Sequence, residues 1–317
     1  MGGRLETAVT ARDSGTLVSI DEHRVRLTNQ DKVLFPEAGF TKGDMVDYYR
    51  RIAPALLPHL AGRPVTLKRF PDGTGESGFF NKNAPPSTPS WLRTVTLAAP
   101  HSTKDRDKVR YLMIEGTAAL AWAANLAGIE LHVPPWRVGP RGGARGVDRL
   151  IFDLDPGAPA GLAECVQVAL LLREALDADG ITAYPGVSGG KGMHLYAPIR
   201  ETPPAQAARY AHRIATALEK QHPDLAVTQM AKAQRPGKVF IDWSQNSGPK
   251  TTVAPYSLRA RPRPTVATPL RWEEVKKGDL GSLVFEAADV LARVDRDGDV
   301  AAAILRGGPA LPSDGGD

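Results

Sequence analysis

The chain has 317 residues, enough for one large domain or two intimate modules with a real core. A hydrophobic share of 42% with 24% charged residues is an ordinary globular composition, and a net charge of +5 leans towards anionic partners. The single cysteine, Cys165, excludes an internal disulfide framework and a cysteine-built zinc site, and no apolar run is long enough to span a membrane.

Residues 1–16 are polar and lack periodicity, so a loose N-terminal arm is expected there. No apolar signal core is present, and a cytoplasmic protein is expected. A first module is expected over about residues 17–145. Thr41-Lys-Gly-Asp44 reads as a capping box. It opens an amphipathic helix with Met45, Tyr48, Tyr49, Ile52, Leu56 and Leu60 on one face and a kink at Pro54. Strands are expected at 64–70 and 129–133, the second alternating apolar and polar residues, with an Ala-rich helix over 115–127 between them.

The Gly- and Arg-rich stretch 137–145 reads as a linker to a second module, about residues 146–306. There the pattern predicts a strand at 149–154, a helix at 161–178, strands at 181–184 and 193–199, and a helix at 203–221. Strands at 238–243 and 252–258 follow. The order β-α-β-β-α-β is that of a ferredoxin-like or RNA-recognition-like sheet, a topology that hosts many functions. Residues 307–317 lack apolar content and are expected to form a disordered tail.

Leu150-Ile-Phe-Asp-Leu-Asp155 carries the most information. Alternation along a strand turns Leu150, Phe152 and Leu154 into a core and sends Asp153 and Asp155 together to the other face. Two carboxylates so close repel unless a cation lies between them. Asp-x-Asp alone also suits a solvated turn, but a third aspartate, Asp242, follows Val239-Phe-Ile. From Gln229 to Pro264 there are seven Lys or Arg residues, and Asp242 is the one acid among them. An acid alone in a basic field points either to a neutralised ion pair or to a metal ligand near phosphates. Three such acids suit two divalent ions about 4 Å apart.

Gly186-Val-Ser-Gly-Gly-Lys-Gly192 joins two predicted strands. It lacks the Walker A spacing, and it reads either as a plain hairpin or as a phosphate cradle built from backbone N–H groups, Ser188 and Lys191. Beside the aspartates the cradle is the preferred reading.

Taken in order, LIFDLDPG, SGGKGMHLY and KVFIDWSQN resemble the three motifs of the archaeo-eukaryotic primase superfamily. Nearest is the polymerase domain of bacterial ligase D, which serves non-homologous end joining. LTNQDKVLFP, TKGDMVDYY, FFNK, LHVPPWR and TVAPYSLR extend the likeness from about residue 25 to about residue 305. The resemblance implies an α/β (α+β) primase fold, an N-terminal α/β module packed on an RNA-recognition-like sheet. It implies a monomeric nucleotidyltransferase that adds nucleotides, preferably ribonucleotides, at DNA gaps or double-strand break ends. By the same resemblance Asp153, Asp155 and Asp242 hold two Mn²⁺ or Mg²⁺ ions, and NTPs or dNTPs are the substrates. Ser188, Lys191, His194, His132 and Arg235 would surround the incoming nucleotide. Lys32 and Lys42 would take the 5′-phosphate beyond a gap, Phe79 and Phe80 the template, and Arg69 and Lys82 the DNA track.

Two of these roles have independent physical support. Lys42 follows the predicted N-cap Thr41, where helix N–H groups favour an anion. Adjacent Phe79 and Phe80 in a strand cannot both enter one core face, which leaves at least one to stack on bases. The sequence lacks the Lys-x-Asp-Gly motif of a DNA ligase, so a stand-alone member or an excised domain is expected. Partners would then be gapped or broken DNA in the bacterial nucleoid, with Ku and a separately encoded ligase. Short-gap excision repair or priming is the alternative pathway. A metal phosphoesterase would have little use for the cradle or the aromatics. A non-catalytic DNA-end binder would have no use for three clustered acids.

Overall fold

The computed structural model describes residues 15–98 and 107–312. Residues 1–14 of the expected arm and 313–317 of the expected tail lie outside the described residues.

A hairpin of β1 (Thr16–Ile20) and β2 (His23–Leu27) comes first, with Thr16 opposite Leu27. The short pair β3 (Val33–Phe35) and β4 (Phe40–Thr41) then delivers the chain into α1 (Lys42–Leu60). Thr41 and Asp44 form the expected capping box, and all six apolar residues of the expected face are buried. The helix runs on through Pro54 and Pro58. Pro54 is exposed, so the carbonyl it leaves unpartnered can be solvated and the helix continues past it.

β5 (Thr66–Arg69), β6 (Phe79–Asn81), the hairpin β7 (Thr94–Ala98) and β8 (Lys108–Leu112), α2 (Thr117–Asn125) and β9 (Gly128–Val133) follow. The expected linker at 137–145 is instead a β-hairpin. β10 (Trp136–Val138) pairs with the start of β11 (Ala144–Pro156), and Gly142 turns the chain at a φ of +82°. Its glycines serve a tight turn, a use that composition alone does not separate from a flexible linker.

The second sheet is built from β11, α3 (Leu162–Ala178), β12 (Tyr184–Val187), β13 (Met193–Thr202), α4 (Pro204–Gln221), β14 (Ala226–Val227) and β15 (Val239–Asp242). Its central order is β15-β11-β13-β12, all antiparallel, as the β-α-β-β-α-β reading requires. The expected strand at 181–184 lies later, because Ile181 N–H closes the end of α3 on Leu176 and the Ala183 carbonyl accepts from the Trp272 indole. Cys165 is buried under this sheet, as expected of a small core residue.

The expected strand at 252–258 shortens to β16 (Thr252–Val253), which pairs with β9 in the order β16-β9-β5-β6. The expected boundary at 145/146 therefore does not separate the two cores. Tyr256, Leu258 and Val266 return to the first core, where the Tyr48 hydroxyl donates to the Tyr256 carbonyl at 2.8 Å. β17 (Thr268–Pro269) then pairs with β12, α5 (Trp272–Lys277) follows, and α6 (Ala287–Asp297) packs Val290 and Leu291 on the first core. Residues 307–312 of the expected tail are anchored at two points: Arg200 N–H donates to the Pro309 carbonyl at 2.7 Å, and Leu311 joins the second core.

Candidate active site

The acids stand on the two central strands. In the ladder Asp153 on β11 lies opposite Asp242 on β15, and on its other side opposite His194 on β13. Asp155, two residues on, faces Phe240. Leu150, Phe152 and Leu154 are fully buried on the opposite face, as alternation requires. Gly192 lets β13 meet β11 closely: a Cβ there would lie 1.9 Å from the Leu154 carbonyl oxygen.

A cavity of about 430 Å³ opens above these strands. Asp153, Asp155 and Asp242 line it, and so do Ser188, Lys191, His194 and Arg235. Seven residues named from sequence thus meet in one place. Arg259 and Arg261 complete its cationic wall.

Each acid has a partner. His194 Nε2 stands 3.3 Å from Asp153, while its Nδ1 is 3.0 Å from the Tyr196 hydroxyl. Burial works to raise the Asp153 carboxyl, but His194 and Arg259 outweigh it and hold it below its ordinary value. Arg235 lies 3.8 Å over the Phe240 ring and 3.4 Å from Asp155. Asp242 accepts from the Ser244 amide and hydroxyl and, at 2.7 Å, from Gln245.

Hard carboxylate oxygens suit Mg²⁺ or Mn²⁺. As the side chains stand, no three His, Cys, Asp or Glu among the described residues are grouped to hold an ion. The cause is local, since Asp155 is turned to Arg235 and Asp242 to Gln245. Asp155 is more than half exposed, and an exposed ion pair is weak, so its carboxylate can leave Arg235 without disturbing the strand. The donor set and the strand register fit a divalent ion.

The turn between β12 and β13 is tied from below. Ser188 N–H donates to the Gly192 carbonyl at 2.9 Å, Gly190 N–H to Ser188 Oγ at 3.2 Å, and Gly189 takes a φ of +67°. Arg259 donates to the Ser188 carbonyl and Thr265 to the Gly189 carbonyl. His132 is not in the cavity lining; its Nε2 lies 2.8 Å from Glu130, and its ring meets Phe80 edge-on at 5.3 Å.

Lys32 and Lys42 lie together, because Lys42 N–H donates to the Lys32 carbonyl. Lys32 is exposed and paired with Asp72 at 2.9 Å. Lys42 is only 5% exposed, and its ammonium reaches Thr28 Oγ1 and the Asn125 carbonyl. The expectation that helix N–H groups assist an anion here is not met. The amides of Lys42, Gly43 and Asp44 already donate to Lys32, Gln30 and Thr41. An anion at this place would be held by side chains.

Phe79 and Phe80 are 48% and 52% exposed on the edge strand β6. Arg69 underlies Phe79 and Lys68 underlies Phe80, while Lys82 is exposed just beyond. Sequence reasoning left out Arg259, Arg261 and Gln245 and gave Glu130 no role. The two arginines were within reach of it, since they belong to the basic stretch that isolates Asp242.

The family described as LigD, primase-polymerase domain matches residues 41–301. The multifunctional non-homologous end joining DNA repair protein LigD of Mycobacterium tuberculosis is 44% identical over 288 residues, 89% of this chain and 37% of the relative. The bifunctional non-homologous end joining protein LigD of Bacillus subtilis is 31% identical over 279 residues, 87% of this chain and 43% of the relative. The chain thus spans less than half the length of these relatives. The solved polymerase domain of Mycobacterium tuberculosis ligase D in complex with DNA matches with a TM-score of 0.84 at 42% identity, covering 90% of this chain and 99% of that one.

Proposed function

The chain belongs to the LigD primase-polymerase family and has its fold, and from that premise we propose that it extends DNA at gaps and broken ends in non-homologous end joining. The observation that carries the proposal is the meeting of three aspartates with the Ser188–Lys191 turn in one cavity. Membership in the family implies metal-dependent use of nucleotide substrates. Two Mn²⁺ or Mg²⁺ ions held by Asp153, Asp155 and Asp242 would supply Lewis acidity to the attacking hydroxyl and the leaving phosphate.

The chain's own residues do the rest. Lys191, Arg259 and Arg261 neutralise triphosphate oxygens, and Ser188 offers a hydroxyl to them. His194 holds Asp153 in place. Arg235, stacked on Phe240, keeps a cation beside Asp155. The substrates are NTPs or dNTPs, with ribonucleotides preferred. Ku and a DNA ligase are the proposed partners of a monomer acting in the bacterial nucleoid. No helix among the described residues is long and apolar enough to cross a membrane.

Phe79 and Phe80 present their rings outward while Arg69 and Lys68 fix them from beneath, an arrangement suited to stacking on template bases. Stacking contributes about 1–3 kcal/mol per base. Replacing both by alanine is expected to weaken use of overhanging templates about tenfold or more. Circular dichroism should stay at wild type, because neither ring supports the core; an unfolded double variant would make them structural.

The proposal is tested by extending gapped DNA, with a 5′-phosphate or a 5′-hydroxyl beyond the gap, with ribo- or deoxyribonucleotides in Mn²⁺ or Mg²⁺. A charged hydrogen bond contributes about 1.5–3 kcal/mol, and Lys32 is exposed, so about tenfold tighter binding of the phosphorylated DNA is expected. Lys32→Ala should shrink that preference. Lys42→Ala should also lower thermal stability, because its ammonium is buried. Extension with equal affinity for both DNAs would remove the phosphate pocket and point to priming, and no extension at all would defeat the polymerase assignment.

A further inference from the structure

We propose that Glu130 is a positioning residue that aims Arg259 at the incoming nucleotide. The inference rests on the reading that the cavity takes a nucleoside triphosphate.

Glu130 is 2% exposed, on the middle of β9. One oxygen accepts the Ala260 N–H at 3.1 Å, lies 3.4 Å from Arg259 Nε and stands 3.6 Å from Lys68. The other is 2.8 Å from His132 Nε2. A carboxylate only accepts, so that nitrogen carries the proton. Burial pushes the His132 pKa down, which leaves the ring neutral with Nδ1 as an acceptor. Burial by itself would raise Glu130, yet its cationic neighbours keep it ionised.

A buried charge costs several kcal/mol to desolvate, and an apolar residue on β9 would be better for stability alone. What the carboxylate adds is direction. Arg259 comes from the chain after β16, 129 positions away in sequence. Its Nε faces Glu130 and its Nη1 donates to the Ser188 carbonyl, the first carbonyl of the glycine turn. The hydrogen bond fixes Nη1, the charge of Glu130 draws the Nε side towards it without a hydrogen bond, and the guanidinium becomes a wall of the cavity. Across the sheet Glu130 pairs with Lys68, and Lys68 with Phe80. One carboxylate thus joins the exposed aromatic edge of the first sheet to the catalytic turn of the second. Removing its charge leaves Arg259 and Lys68 uncompensated and free to repel each other.

The test is steady-state nucleotide addition by the full chain on gapped DNA, with fluorescent-nucleotide displacement and DNA anisotropy in parallel. Glu130→Gln should raise KM for nucleotide about tenfold, the scale of one charged hydrogen bond, with a much smaller change in kcat and unchanged DNA affinity. In an Arg259→Met background the same change should add no more than about twofold, the range of ordinary additivity. Glu130→Asp keeps the charge but shortens the reach, and its KM should fall between wild type and Glu130→Gln. Should Glu130→Gln fail to fold, Glu130→Asp carries the test by the same KM shift. Unchanged KM with kcat falling in step with the folded fraction, or full additivity with Arg259→Met, would overturn the positioning role. A wild-type protein that neither binds nor adds nucleotide would defeat the polymerase reading first, and this inference with it.

Discussion

Asp153→Ala is expected to abolish measurable nucleotide addition while DNA affinity is kept or slightly raised. Among the three aspartates only Asp153 stands opposite a second acid, Asp242, on one side and a histidine, His194, on the other. Its carboxyl is held ionised against burial by His194 and Arg259. Removing it deletes a hard oxygen donor at the centre of the site and takes from His194 the carboxylate at 3.3 Å. Stabilisation of charge by a bound divalent ion amounts to several kcal/mol in the transition state, so a loss of at least about 10³-fold is expected. DNA affinity should not fall, because a negative charge beside a phosphodiester path has been removed. Asp153→Asn, which keeps the shape, should be as inactive, since an amide is a poor substitute for a charged ligand. Extension in Mn²⁺ and Mg²⁺, with fluorescence anisotropy on the same DNA, measures both quantities. Activity of Asp153→Ala within about tenfold of wild type would remove the aspartates from the chemistry.

Gly192→Ala is expected to damage both stability and nucleotide binding through one methyl group. The added Cβ would lie 1.9 Å from the Leu154 carbonyl oxygen and 3.2 Å from Pro156 Cδ. Neither is the end of a flexible side chain, so β13 must move away from β11. That seam carries Leu154 opposite Met193 and Asp153 opposite His194. The Gly192 carbonyl also closes the turn by accepting from Ser188 N–H. Overpacking a well-packed site costs about 1–3 kcal/mol, and backbone displaced at the cradle should raise nucleotide KM beyond what that loss alone explains. Gly180→Ala is the control. Its φ is +72° with no atom within 4 Å of the added Cβ, so backbone strain of about 1–2 kcal/mol is expected with no change in KM. Thermal melts and nucleotide titrations of the two variants separate the effects. A Gly192→Ala protein with wild-type melting and KM would mean that the strands tolerate separation.

The features legible in the sequence were those carried by neighbours along the chain. The buried face of α1, the capping box at Thr41 and the common face of Asp153 and Asp155 follow from periods of 3.6 and 2, which act over a few residues. The order of strands and helices in the second sheet was readable for the same reason, and the motifs named Asp242, Ser188, Lys191 and His194, which the fold brings to one cavity. Tertiary structure alone decided which residues face one another across large sequence separations. Register set Asp153 between Asp242 and His194, and no local pattern specifies the pairing of strands 89 residues apart. Segment 28–32 filled the helix N–H groups that local reading had offered to a phosphate, and Lys42 was buried by the same packing. The return of β16 to β9 turned two consecutive modules into interlocked ones and brought Arg259 to Glu130. Burial of apolar surface drives these long-range contacts and rewards any sequence that fills the space, so their geometry is a property of the assembled core and not of any stretch within it.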